Sequence, residues 1–229
     1  MTSACLFLVP WLGLVQSAAE TPAIGSERWD ATIVRFEEQD RQNPPPSGGI
    51  LFVGSSSIRL WKTDRWFPNH PVLNRGFGGS EIVDVNYFAE RIVLTYQPRA
   101  IVFYAGDNDV AKGKSADRVA EDFTKFAELV AERLPETDLI YLPIKPSPAR
   151  WKLWPIAREA NAKIERYLAD RPRCRYADIA TPMLGSDGQP RAELFAADRL
   201  HLNEEGYRLW TEIVRRVIDL GKPAENGTP

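Results

Sequence analysis

The chain has 229 residues, 44% of them hydrophobic and 26% charged, with a formal net charge of −2. Such a composition suits a globular protein with one sizeable core and excludes a low-complexity or disulfide-stapled chain. Basic residues are scattered among acids with no polybasic run, so neither nucleic acid nor an anionic membrane surface is indicated as a partner.

In chain order, residues 6–15 form an apolar run that is too short to span a bilayer comfortably. Ser17, Ala18 and Ala19 follow in the small-x-small pattern of a secretory cleavage site. Residues 1–19 are therefore expected to be a signal peptide, with an atypical n-region lacking Lys or Arg, and the mature protein secreted or periplasmic. No other segment is long and apolar enough for a membrane helix. Removal of Cys5 would leave Cys174, expected to be a buried small hydrophobe at the start of a strand, with no disulfide framework or zinc spacing.

Residues 20–49 read as an N-terminal helix and a connector. Trp29, Ile33, Phe36 and Glu37 recur at helical spacing, and the run "NPPPSGG" cannot continue a helix. From residue 50 to 221 short apolar strands alternate with amphipathic helices. Strands are predicted at 50–54, 71–77, 100–106, 139–144 and 174–179. Helices are predicted at 56–65, 80–96, 115–134, 156–170 and 203–220. Ser115 reads as an N-cap, with Val119, Phe123, Phe126, Leu129 and Val130 on one buried face, and Asn203 as the N-cap of the last helix. Continuously apolar strands imply a sheet covered on both faces, and the βαβα order a three-layer α/β/α fold with a mostly parallel five-stranded sheet.

In open sheets of this kind sites form beyond the carboxyl ends of the strands. Polar, glycine-bearing runs sit there: "GSSS" after the first strand, "RGFGGS" after the second and "GDND" after the third. A serine hydroxyl needs a base to become a nucleophile, and the chain contains only His70 and His201. His70 lies in a proline-flanked loop before a strand, the wrong end for a site, and reads as structural. His201 follows Asp198 by three residues, a spacing that lets the carboxylate reach Nδ1 and leaves Nε2 facing a hydroxyl. Oxyanion donors could come from backbone amides at Gly76, Gly78 or Gly79, or from the Asn108 amide. Each feature also has a bland reading: helix capping for the serines, turn geometry for the glycines, an Asx-turn for Asn108. On chemistry alone Ser55, Ser56 and Ser57 remain equal candidates.

Together the four blocks resemble those of the SGNH (GDSL-type) hydrolases, most closely the platelet-activating-factor-acetylhydrolase-like esterases, whose second block is similar to "NRGFGGS". The likeness runs from about residue 50 to 220. It implies a flavodoxin-like fold with no metal and no cofactor, Ser56 as nucleophile, and His201 as base oriented by Asp198. It also implies an oxyanion hole formed by the Ser56 amide, the Gly79 amide and the Asn108 side chain. One departure stands out, since relatives usually carry Asp where this chain has Ser55.

These features lead to an expected serine esterase acting on a small-molecule ester with a short acyl group such as acetyl, on a carbohydrate or a lipid-derived alcohol. Lys145, Arg150, Trp151 and Trp154, in the loop after the fourth strand, are the candidate substrate-binding residues. Two other readings compete. One is a metal-dependent hydrolase with Asp107, Asp109, Asp198 and His201 as ligands, and the other a non-catalytic glycan-binding module of the same fold. The oligomeric state is left open.

Overall fold

Alternate residues of each strand point to opposite faces of a sheet, and here both sets are apolar. Leu51, Val53, Ile101, Phe103, Leu139 and Tyr141 enter one core, while Ile50, Phe52, Val102, Tyr104, Ile140 and Leu142 enter the other. This computed structural model of the chain describes residues 25–220, so the expected signal peptide at 1–19, with Cys5, lies outside the described residues.

The strands are β1 (Ile50–Gly54), β2 (Val72–Gly76), β3 (Ala100–Tyr104), β4 (Asp138–Tyr141) and β5 (Cys174–Tyr176). They form one sheet in the order β2-β1-β3-β4-β5, with every pair parallel. The helices are α1 (Asp30–Gln42), α2 (Ser56–Arg59), α3 (Thr63–Trp66), α4 (Ile82–Tyr87), α5 (Ala89–Ile92), α6 (Asp107–Ala111), α7 (Ala116–Arg133), α8 (Trp154–Ala169) and α9 (Glu204–Leu220). Helices α1, α4, α5, α7 and α8 contribute to the first core, and α2 and α9 to the second. The result is the expected three-layer, flavodoxin-like arrangement, whose strand order reverses between β1 and β3. Ser115 caps α7, accepting from Arg118 N–H at 3.2 Å, and Asn203 caps α9, accepting from Gly206 N–H at 3.1 Å.

Two predicted helices are broken, each for a physical reason. The 56–65 segment stops after one turn because the Asn74 side-chain amide donates to the Ile58 and Trp61 carbonyls, ending the helical ladder. Across 80–96, Ile92, Val93 and Leu94 are all buried, which a single helical stripe cannot achieve. The chain therefore turns at Phe88 and Val93 and finishes as a 3₁₀ turn at Leu94–Tyr96. The fourth strand is shorter than expected because Pro143 supplies no donor. Beyond it the Asn161 side chain of α8 stands in for a strand partner, accepting from Ile144 N–H (2.8 Å) and donating to its carbonyl (2.9 Å).

The second core is dominated by aromatic rings. Trp61 packs on Phe52, Phe67, Tyr207 and Trp210 at centroid separations of 5.3 to 5.8 Å, and its indole donates to Thr211 at 3.2 Å. This cluster fastens α9, and the loop ahead of it, to the end of β1. Cys174 is half-buried at the start of β5, where burial pushes its thiol upward. His70 sits near Arg99 and Asp219, at the end of the sheet opposite the glycine-bearing loops.

At Gly54 φ is +138°, and a methyl group there would lie 1.9 Å from the Tyr104 carbonyl oxygen. Gly54→Ala should therefore cost at least about 3 kcal/mol or prevent folding. Gly113 has φ of +89° with open space around it, so Gly113→Ala should cost only about 1–2 kcal/mol. Denaturant midpoints of the two variants compare these effects.

Candidate active site

The turn after β1 separates the three serines. Ser55 N–H donates to the Tyr104 carbonyl (2.9 Å), and the Ser55 side chain is fully buried with no hydrogen-bond partner for Oγ among the described residues. It occupies the N-cap position of α2 but its hydroxyl caps nothing. Ser57 is also buried, and its hydroxyl contacts Lys145 Nζ at 3.2 Å. Ser56 alone reaches the surface, with Oγ 3.0 Å from His201 Nε2.

His201 Nδ1 lies 2.5 Å from Asp198 Oδ2. Asp198 Oδ1 accepts from Leu200 N–H (3.0 Å) and His201 N–H (2.9 Å), an arrangement made possible by Arg199 at φ +58°. The His201 contact, helped by these two amides, holds the Asp198 carboxyl down at about 2. With Nδ1 donating to Asp198, Nε2 is the acceptor for the Ser56 hydroxyl, the relation in which an imidazole acts as general base.

The loops that carry the oxyanion candidates meet beside the serine turn. β1 and β2 pair with Gly54 opposite Gly76, so residues 77–79 leave the sheet beside the serine turn. Phe77 N–H donates to the Gly54 carbonyl at 2.9 Å, and Gly79 takes φ +80° with the Trp29 ring packed against it. Gly76 is closed in by the backbone of Ile58 and Arg59, and Gly78 by the Arg59 side chain. Among the described residues, neither the Ser56 nor the Gly79 backbone amide has an acceptor. Asn108 Nδ2 donates one hydrogen to the Ser80 carbonyl (3.0 Å), and its Oδ1 accepts from Arg150 Nη2 (3.0 Å).

The predicted substrate loop divides. Lys145 is 3% exposed and points inward, with Nζ 3.0 Å from Tyr104 Oη and 3.0 Å from Asp107 Oδ2. Arg150 Nη1 lies 3.1 Å from the same carboxylate oxygen. Burial raises the Asp107 carboxyl, but the charges of Lys145 and Arg150 outweigh it and hold the group below the ordinary carboxylate range. Trp154 packs against both cores, and Trp151 stacks on it at 6.0 Å and 15°. The cavity between Asp107, Lys145, Arg150 and Trp154 measures about 10 Å³, room for roughly one water molecule. Of the carboxylates in the metal-centred reading, Asp109 accepts from Lys114 (2.8 Å) and Ile82 N–H (3.2 Å), and Asp198 is engaged by His201. Among the described residues no three His, Cys, Asp or Glu side chains form a group suited to a metal ion. Two supports escaped the sequence reading. Tyr207 donates to the Ser57 carbonyl (2.9 Å), and Ala149 N–H donates to the Arg199 carbonyl (3.0 Å), tying the post-β4 loop to the histidine loop. No local pattern marks either.

A doubly wound sheet with a serine, a histidine and an aspartate meeting at its strand ends is an arrangement that hydrolases of the α/β/α class use. The model of the GDSL-like lipase/acylhydrolase family matches residues 59–209, more than half of the chain, and the chain belongs to that family. The match begins three residues after Ser56. Similar solved structures include a Streptococcus pneumonia protein provisionally described as a platelet activating factor. It is 17% identical, with a TM-score of 0.74 over 83% of this chain and 93% of that one. A GDSL-like lipase from Bacteroides thetaiotaomicron is 21% identical, with a TM-score of 0.73 over 84% and 99% of the two chains. A mutant of Axe2, an acetyl-xylooligosaccharide esterase from Geobacillus Stearmophilus, is 15% identical, with a TM-score of 0.59 over 80% and 99%. At these identities the likeness shows the fold. Comparison with curated proteins finds no match.

A buried hydroxyl without a partner is unfavourable, so Ser55→Ala should leave Tm unchanged or raise stability by up to about 1 kcal/mol. The Asp198 carboxyl titrates below its ordinary 3.8, so its contact with His201 contributes stability that is fully present above about pH 4 and lost as pH falls toward 2. Asp198→Asn should flatten the decline in Tm across that window, measured by thermal unfolding at stepped pH.

Proposed function

We propose that the protein is a serine esterase that cleaves short-chain acyl esters, acetyl foremost, through an acyl-enzyme. The observation that carries this reading is the continuous contact from Ser56 Oγ through His201 to Asp198. In the first step His201 Nε2 takes the Ser56 proton as Oγ attacks the ester carbonyl. The resulting oxyanion is held by the Ser56 and Gly79 backbone amides and by the second hydrogen of Asn108 Nδ2, while Asp198 stabilises the imidazolium. His201 then protonates the departing alcohol. Water, activated by the same imidazole, releases the acid and restores Ser56.

A short acyl group is supported by the fold shared with a protein described as an acetyl-xylooligosaccharide esterase. A carbohydrate alcohol is supported by the stacked pair Trp151 and Trp154, since aromatic faces bind the apolar faces of sugars. The fold shared with an acetyl-xylooligosaccharide esterase agrees with that class of substrate. Export is part of the proposal and rests on the apolar run at 6–15. No helix among the described residues is long and apolar enough to cross a membrane.

A fluorophosphonate probe should label the protein, with peptide mapping placing the adduct on Ser56. Ser56→Ala should abolish labelling and lower kcat on p-nitrophenyl acetate by at least about a thousand-fold. A wild-type protein that takes up no probe would instead favour a non-catalytic glycan-binding module. Adduct on Ser55 or Ser57 would overturn the choice of nucleophile.

A further inference from the structure

Arg150 was expected to meet substrate, yet its guanidinium faces the protein. Nη2 donates to Asn108 Oδ1 at 3.0 Å, and Nη1 sits 3.1 Å from the Asp107 carboxylate as an ion pair without hydrogen-bond geometry. Asp107 also takes the Lys145 ammonium at 3.0 Å, and that same ammonium reaches the Ser57 hydroxyl beside the nucleophile. The loop carrying Arg150 is restrained at both ends. Asn161 clamps Ile144 from α8, and Ala149 N–H donates to Arg199 in the histidine loop. Arg150 is thus held in place by elements that also carry the nucleophile and the base.

We infer that Arg150 is a positioning residue of the oxyanion hole, acting through Asn108 rather than on substrate. An asparagine amide can swivel about its terminal torsion, which is broad and roughly two-fold. With Oδ1 held by Arg150 and one hydrogen committed to the Ser80 carbonyl, the plane of the amide is set and its second hydrogen has one direction left. A donor aimed in advance needs no reorganisation as charge develops, which is where oxyanion holes derive their effect. Charge works in the same sense. Lys145 and Arg150 carry two positive charges against one negative on Asp107, leaving a net cation beside the amide. A cation on Oδ1 polarises the amide and makes its N–H a stronger donor. Asp107 and Lys145 act one step further back, fixing the guanidinium in turn. The inference rests on the serine-esterase reading, because it needs an oxyanion for Asn108 to meet.

The test is a double-mutant cycle of Asn108→Ala and Arg150→Met, with kcat and KM measured on p-nitrophenyl acetate. Asn108→Ala should lower kcat by about 10²–10³-fold. Arg150→Met should lower kcat by roughly 10–100-fold with KM changed less than about threefold, and should cost less than about threefold more in the Asn108→Ala background. Arg150→Lys, which keeps the charge but cannot span both partners, should recover part of the loss and serves if Arg150→Met does not fold. In ¹H–¹⁵N spectra the Asn108 side-chain amide pair, assigned by its disappearance in Asn108→Ala, should shift in Arg150→Met whether or not turnover is measured. A rise confined to KM, a full additional loss in the Asn108→Ala background, or an unmoved amide pair would overturn the inference and return Arg150 to substrate binding. Failure of the esterase reading would register separately, as absence of probe labelling on Ser56 in the wild-type protein, and the inference would fall with it.

Discussion

The close approach of β1 to β3 at Gly54, where even a methyl group would collide with the Tyr104 carbonyl, is the constraint on which the site depends. Because the strand end presses so near its neighbour, the chain must turn abruptly. It does so with a backbone angle that glycine tolerates and bulkier residues do not. Ser55 is pressed into the interior, Ser56 is lifted to the rim and Ser57 is returned to the interior. A single backbone requirement thereby assigns three chemically identical hydroxyls to three different surroundings. The same turn sits where the strand order reverses, so the loops after β2 and β3 flank it from both sides.

Two kinds of polar structure meet there, and they differ in dielectric setting. Asp198 and His201 lie on a half-exposed loop, where water can reach the imidazole. Lys145 and Asp107 are buried, and a buried pair is costly unless every charge finds partners. Lys145 finds them in Tyr104, Ser57 and Asp107, while Arg150 Nη1 adds its charge beside Asp107 at 3.1 Å without making a hydrogen bond among the described residues. A buried, hydrogen-bonded ion pair is stiff, and stiffness suits the positioning proposed for the Asn108 amide. The exposed loop gains its own rigidity differently, through backbone amides folded onto Asp198 and through α9, which the Trp61 aromatic cluster holds against β1.

Much of this could be read in advance. Alternating apolar strands, the Ser115 and Asn203 caps, and the glycine-bearing runs after three strands gave the layers and the end of the sheet that carries the site. His201 and Asp198 were accessible because the chain has so few histidines. Elsewhere the reading failed for identifiable reasons. The helices at 56–65 and 80–96 follow apolar periodicity, but Asn74 ends the first from another strand, and three consecutive buried residues bend the second. Lys145 was expected to meet substrate because lysines are rarely buried, and only its carboxylate partner accounts for its burial.

Strand alternation, helix capping and the need for glycine at a tight turn depend on residues within a few positions of one another, so the amino-acid order determines them directly. The contact of Ser56 with His201, of Ser57 with Lys145 and of Asn108 with Arg150 joins residues 145, 88 and 42 positions apart. No local rule encodes such distances. They follow once the sheet has ordered its strands and the two cores have closed, because packing, not propensity, brings those side chains within hydrogen-bonding reach.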